Sequence, residues 1–144
     1  MGNSPSSQTE KLFIVNARLS EIGKLLEWIE QLAVAHAIPA KVAFGMYVCV
    51  EEVVANTIQH GYRGDADCNV TVRFREPSAG HYTIVLEDSA PPFNPLLAPE
   101  LPPLNPRDEI RIGGQGLRLL REFTKTLDHQ SLPAGNRFTL TFSA

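Results

Sequence analysis

Cysteine is scarce in this chain: two thiols, Cys49 and Cys68, stand among 144 residues without paired spacing. A disulfide framework is therefore excluded, and both are read as reduced thiols. The four histidines, His36, His60, His81 and His129, are scattered, so the spacing of a zinc site is missing. Basic runs are missing too. Lys and Arg number 13 against 16 Asp and Glu, for a net charge of −3, which argues against nucleic acid as a direct partner. No apolar run approaches membrane-spanning length, and Met1–Thr9 is polar, with no signal-peptide core. The expected location is cytoplasmic, with no membrane partner. No internal repeat is visible, and neither a Walker loop nor a strand followed by G-x-G-x-x-G occurs.

What is present suits one ordinary globular domain. Hydrophobic residues make up 43% and charged residues 20%, and a chain this long can bury about two-thirds of its unfolded surface. Residues 1–10 read as a frayed tail and 11–144 as the domain. Lys11–Ala17 alternates as a first strand, with Leu12, Ile14 or Val15 facing a core. Leu19, Ile22, Leu25, Leu26, Ile29, Leu32 and Ala33 recur at three and four, which predicts an amphipathic helix from about Arg18 to Ala37, capped by Asn16 or Ser20. Trp28 reads as packing or partner surface. Pro39 breaks that helix and can open the next, from about Ala40 to His60. Asn69–Arg75 and His81–Glu87 alternate as strands around the turn Pro77-Ser-Ala-Gly80. Between Ser89 and Pro106 stand seven prolines, which exclude a helix interior or central strand and mark an irregular lid over about 89–112. A short helix follows Gly116, and Thr126–Ser131 and Arg137–Phe142 close the chain as strands. The expected fold is α/β (α+β): a two-layer sandwich, its mixed, mostly antiparallel sheet covered on one face by three helices.

Two stretches carry candidate chemistry. On the second helix Val50, Val53, Val54, Thr57 and Ile58 form an apolar stripe. Glu52 and Asn56, four apart, present an acid and an amide on one neighbouring face, and His60 extends the row by a turn. Such a pair is more often a solvated edge. As a site, the Asn oxygen suits Mg²⁺ already held by phosphates, and the Glu can take a proton nearby. Downstream, Gly113-Gly114-Gln115-Gly116-Leu117 opens a helix. Glycines let a ligand approach the backbone, and a helix N-terminus offers N–H groups to an anion, phosphate above all. A glycine cluster alone also marks hinges. Asp88 ends an apolar strand. It reads as a turn former or as a carboxylate accepting a ligand amino group.

The order of these motifs resembles the GHKL ATPase superfamily with its Bergerat, histidine-kinase-like ATPase fold. The resemblance runs from about Lys11 to Phe142. Within the superfamily the chain is similar to the stand-alone anti-sigma-factor serine/threonine kinases. Glu52-Val-Val-Ala-Asn56 continues as Ile-Gln-His60-Gly-Tyr62. Glu87-Asp88-Ser-Ala-Pro-Pro-Phe93-Asn-Pro95 follows, and then Ile112-Gly-Gly-Gln-Gly-Leu117 after the Pro-rich lid.

The resemblance implies a cofactor pair, ATP and Mg²⁺. Glu52 matches the general base, Asn56 the Mg²⁺ ligand, and Asp88 the acceptor of the adenine amino group. Gly113, Gly114 and Gly116 match the glycines around the triphosphate, with the backbone of Gln115–Leu117 facing phosphate oxygens. Phe93 would wall the base pocket, and His60 and Ala90 complete the nucleotide-contact candidates. Two positions depart from the family: Ala90 and Asn136 stand where it usually has Gly and often has Thr. The implied activity is transfer of the ATP γ-phosphoryl to a serine of an anti-anti-sigma (STAS-type) partner, with a sigma factor as a further partner. The first helix and its flank are a candidate homodimer surface. A non-catalytic ATP- or partner-binding module is the alternative. A detached histidine-kinase ATPase domain is a third reading, disfavoured by the lack of a preceding helix with a phosphoacceptor His.

Overall fold

The structure is a computed structural model and describes residues 10–16, 18–61, 69–90 and 116–144. The expected tail, nearly all of the lid, Phe93, Gly113, Gly114, Gln115 and Cys68 lie outside the described residues. Five strands are described: β1 (Lys11–Asn16), β2 (Asn69–Ser78), β3 (His81–Asp88), β4 (Thr126–Leu132) and β5 (Gly135–Ser143). They form one sheet in the order β1-β2-β3-β5-β4, and where a mixed sheet is expected from the sequence every pairing among the described residues is antiparallel, because each neighbouring pair runs in opposite directions. Three helices are described as well: α1 (Gly23–Ala35), α2 (Ala40–Asn56) and α3 (Gly116–Phe123). Their buried side chains join a single core with one sheet face, which is the expected two-layer sandwich.

Strand alternation sets that face. Val70, Val72 and Phe74 of β2, Tyr82, Ile84 and Leu86 of β3, and Phe138, Leu140 and Phe142 of β5 are buried side by side in register. Leu25, Ile29 and Leu32 of α1 and Met46, Cys49, Val50, Val53 and Val54 of α2 pack onto them, with Leu120 from α3. Each such aliphatic side chain contributes roughly 1.5–3 kcal/mol on burial. Of the three candidates on β1, only Val15 turns inward; Leu12 and Ile14 are 53% and 56% exposed on the opposite sheet face. There an ion-pair row crosses the strands, with Arg137 Nε donating to Glu87 at 2.8 Å and Arg73 3.6 Å from the same carboxylate.

Element ends differ from the sequence expectation in instructive ways. Leu19–Glu21 forms a 3-10 turn before α1, and the α1 N-cap is Ile22, with no side-chain cap from Asn16 or Ser20. Helix α1 stops at Ala35 in a Schellman turn. The Ile38 N–H donates to the Ala33 carbonyl and the Ala37 N–H to that of Val34, with Ala37 at φ 52°. Pro39 caps α2 rather than opening it, since its ψ of 144° is extended. Strand β2 runs on past Arg75 to Ser78, with a register shift between them that accommodates Pro77, and the turn shrinks to Ala79–Gly80. Beyond Asn56 the helix widens into a π turn over Thr57–Gly61.

Candidate functional site

Helix α2 turns its apolar side to the sheet and carries Glu52 at the margin of that side. The residue is 8% exposed. Asn56, one turn on, donates from Nδ2 to Glu52 Oε2 at 2.7 Å. The predicted acid–amide row therefore exists as a bonded pair, and the bond leaves the amide oxygen as the group suited to a hard cation. Burial pushes the Glu52 carboxyl up to about 7; the Asn56 hydrogen bond pulls it down, and the Glu51 charge pushes it up. Tyr47, a turn earlier, is raised to about 12 by burial and by its hydrogen bond to Glu51. Burial likewise raises the Cys49 thiol to about 12, which makes it unreactive.

The second group sits at the end of β3. Register puts Asp88 on the helix-facing side of the sheet, opposite Val70 on β2 and Asn136 on β5. Asp88 Oδ1 accepts from the Ala90 N–H at 2.9 Å and from Asn136 Nδ2 at 3.0 Å. Asn136 is buried, reaches the Ala90 carbonyl at 3.3 Å, and lies 3.0 Å from His129 Nε2 through Oδ1. Burial raises the Asp88 carboxyl above its ordinary range, against the pull of Asn136, the Ala90 N–H, charge at His129 and the Thr57 hydroxyl. Gly135 lies against this corner. A Cβ there would overlap the Asp88 carbonyl oxygen, so only glycine fits.

Thr57 joins the two groups. It follows Asn56 directly, opens the π turn, and its side chain pulls the Asp88 carboxyl down. The amide of the acid–amide row is thus one residue away from a side chain that acts on the strand-end carboxyl. π turns often occur where a helix serves a site, because the extra residue re-aims the side chains that follow.

The structure brings Glu52 to Asn56 and Ala90 to Asp88. It places the backbone of His60 in the π turn and Gly116 and Leu117 in the first turn of α3. Ala37 is the only non-glycine residue at positive φ among the described residues, so Ala90 has ordinary backbone. Among the described residues there is no cluster of three or more His, Cys, Asp or Glu that could hold a metal by itself. No helix among them is long and apolar enough to cross a membrane. Sequence reasoning missed Thr57, assigned to the apolar stripe, and His129, set aside with the scattered histidines. Residue type gave no signal for either. Alternation along β5 puts Asn136 on the face of Phe138, and only the cross-strand register adds Asp88 and His129.

The family model for the histidine kinase-like ATPase domain matches residues 15–142. The chain is 26% identical over 116 residues to the serine/threonine-protein kinase BtrW of Bordetella bronchiseptica, covering 81% of both chains. Its fold is similar to the structure of the RsbU and RsbW domains of Rv1364c from Mycobacterium tuberculosis, with a TM-score of 0.63 at 13% identity, over 94% of this chain and 32% of that one. It is also similar to the histidine kinase domain of the blue-light activated kinase of Erythrobacter litoralis, with a TM-score of 0.55 at 17% identity, over 89% of this chain and 61% of that one. The chain thus spans about a third of the mycobacterial chain and under two-thirds of the Erythrobacter one. The family match bears out the resemblance to the histidine-kinase-like ATPases of the GHKL superfamily, and the relative BtrW carries the name of a serine/threonine-protein kinase. With its sheet, its helices and 128 contiguous residues under the model, from 15 to 142, the chain belongs to the histidine kinase-like ATPase domain family.

Proposed function

We propose that this chain is an ATP-dependent protein-serine kinase of the anti-sigma type, acting on an anti-anti-sigma partner and able to hold a sigma factor. The observation that carries this reading is the bonded Glu52–Asn56 pair at the end of α2, followed directly by Thr57, whose side chain acts on the strand-end carboxyl of Asp88. One nucleotide could then lie with its base at Asp88 and its phosphates toward Asn56. The printed name of BtrW, a serine/threonine-protein kinase, supports the same activity.

In this reading Asp88 accepts from the adenine amino group, while Phe93, Ala90 and His60 line the nucleotide. Gly113, Gly114, Gln115, Gly116 and Leu117 offer backbone N–H groups to the phosphates. The residues present suit Mg²⁺, which keeps waters and phosphate oxygens and needs few protein ligands, with Asn56 supplying one. The ion would neutralise phosphate charge. Glu52 would take the proton of the incoming serine hydroxyl, and a carboxyl raised to about 7 suits a general base near neutral pH. The domain is 11–144, with its lid at about 89–112 and α1 as a candidate homodimer face.

Incubation with γ-labelled ATP, Mg²⁺ and an anti-anti-sigma protein tests the proposal. Label should appear on a partner serine, and Glu52→Gln should slow its transfer by about 10²–10⁴ while sparing ATP affinity. An unlabelled partner, with ATP still bound, would leave the non-catalytic module standing. Asn136 in place of the family's Thr is the observation that favours that second reading.

A further inference from the structure

A carboxylate and a backbone carbonyl can only accept hydrogen bonds. Asn136 Nδ2 lies 3.0 Å from Asp88 Oδ1 and 3.3 Å from the Ala90 oxygen, so the amide NH₂ must face both. That orientation turns Asn136 Oδ1 to His129 Nε2, 3.0 Å away. An amide oxygen also only accepts, so His129 must carry a proton on Nε2 and donate it. The chain of bonds therefore has one direction, from His129 through Asn136 to Asp88. Its start is held in place by the sheet: His129 pairs with Phe138 across β4 and β5, and the two rings tilt together with centroids 4.8 Å apart. Its end is held by the Ala90 N–H, a second donor to the same Asp88 oxygen. Two donors on Oδ1 fix the rotation of the carboxylate.

We propose that His129 is a positioning residue for choice of nucleotide base. Acting through Asn136, it locks the Asp88 carboxylate as an acceptor of fixed direction. An adenine, which offers an amino group, satisfies it. A guanine, which offers a carbonyl at the same place, opposes acceptor to acceptor and is rejected. The inference rests on the adenine role proposed for Asp88. It also gives Asn136 a role, as the amide that bonds His129 of β4 to Asp88 of β3.

Calorimetric titration of Mg·ATP and Mg·GTP into wild type, His129→Phe and His129→Gln tests it, together with the thermal midpoint of each nucleotide-free protein. Phe keeps the ring and removes the donor, whereas Gln keeps a donor. His129→Phe should weaken ATP binding roughly five- to tenfold and GTP binding little, so the preference for ATP falls by the same factor. His129→Gln should recover most of it, with both midpoints near that of wild type. An unchanged ATP-to-GTP ratio in His129→Phe overturns the proposal. So does an equal loss for both nucleotides that Gln fails to recover, which marks a merely structural histidine. A wild type that binds no ATP overturns the adenine role of Asp88, and the titration of wild type alone separates that failure from the other two.

Discussion

Glu52 is an acid held where water barely reaches it, and that has a thermodynamic sign. Its folded-state value of about 7 exceeds the unfolded reference of 4.5. The native chain thus binds its proton more tightly than the unfolded chain. Stability from this group is full below the unfolded value and falls as pH rises through about 4.5 to 7, leaving a penalty above that window. In chelator, without metal or nucleotide, Glu52→Gln should melt higher than wild type at pH 8, and the gap should close towards pH 5. A gap that ignored pH would mean that Glu52 is ionised at no such penalty. Tolerance of a destabilising acid at this point of α2 fits a group kept for chemistry.

At the scale of elements, two backbone positions make opposite predictions. Ala37 occupies the left-handed position of the Schellman turn, at φ 52°, where glycine is the residue without strain. Ala37→Gly should stabilise the protein by roughly 1 kcal/mol, read as a higher urea midpoint at unchanged m. Gly135→Ala drives a Cβ into the Asp88 carbonyl. It should cost roughly 3–4 kcal/mol in the same measurement, because the obstacle is backbone and cannot swing aside. Element type was legible from period alone: the three-and-four spacing of Leu25, Ile29 and Leu32 gave α1, and the alternation of Val70, Val72 and Phe74 gave β2. Ends were less legible. Ser20 looks like a cap, yet the 3-10 turn at Leu19–Glu21 moves the helix start to Gly23. On β1, periodicity could not choose between the two sides, because Leu12 and Ile14 are as apolar as Val15. Pairing with β2 decides it, through Val15 opposite Val70.

At the scale of the whole molecule, nucleotide binding and folding should be linked. A ligand at about 100 times its Kd stabilises by about 2.7 kcal/mol, which for a domain of this size is roughly 5–10 °C. Mg·ATP should raise the thermal midpoint by that order and Mg·GTP by much less; equal shifts would remove the adenine assignment. The acid–amide row of this site could be read from one helix, since four-residue spacing fixes it. The Asp88 corner could not, since Asp88, Asn136 and His129 come from three strands and meet only through register. The end of α2, just before the π turn, has one more consequence. The Thr57 N–H is shared between the carbonyls of Val53 and Val54, so neither bond has full strength there. That shared bond lies beside the amide proposed to meet the metal. Solvent deuterium should enter at the Thr57 N–H sooner than at the middle of α2, and an arriving nucleotide would have a yielding joint there to work against.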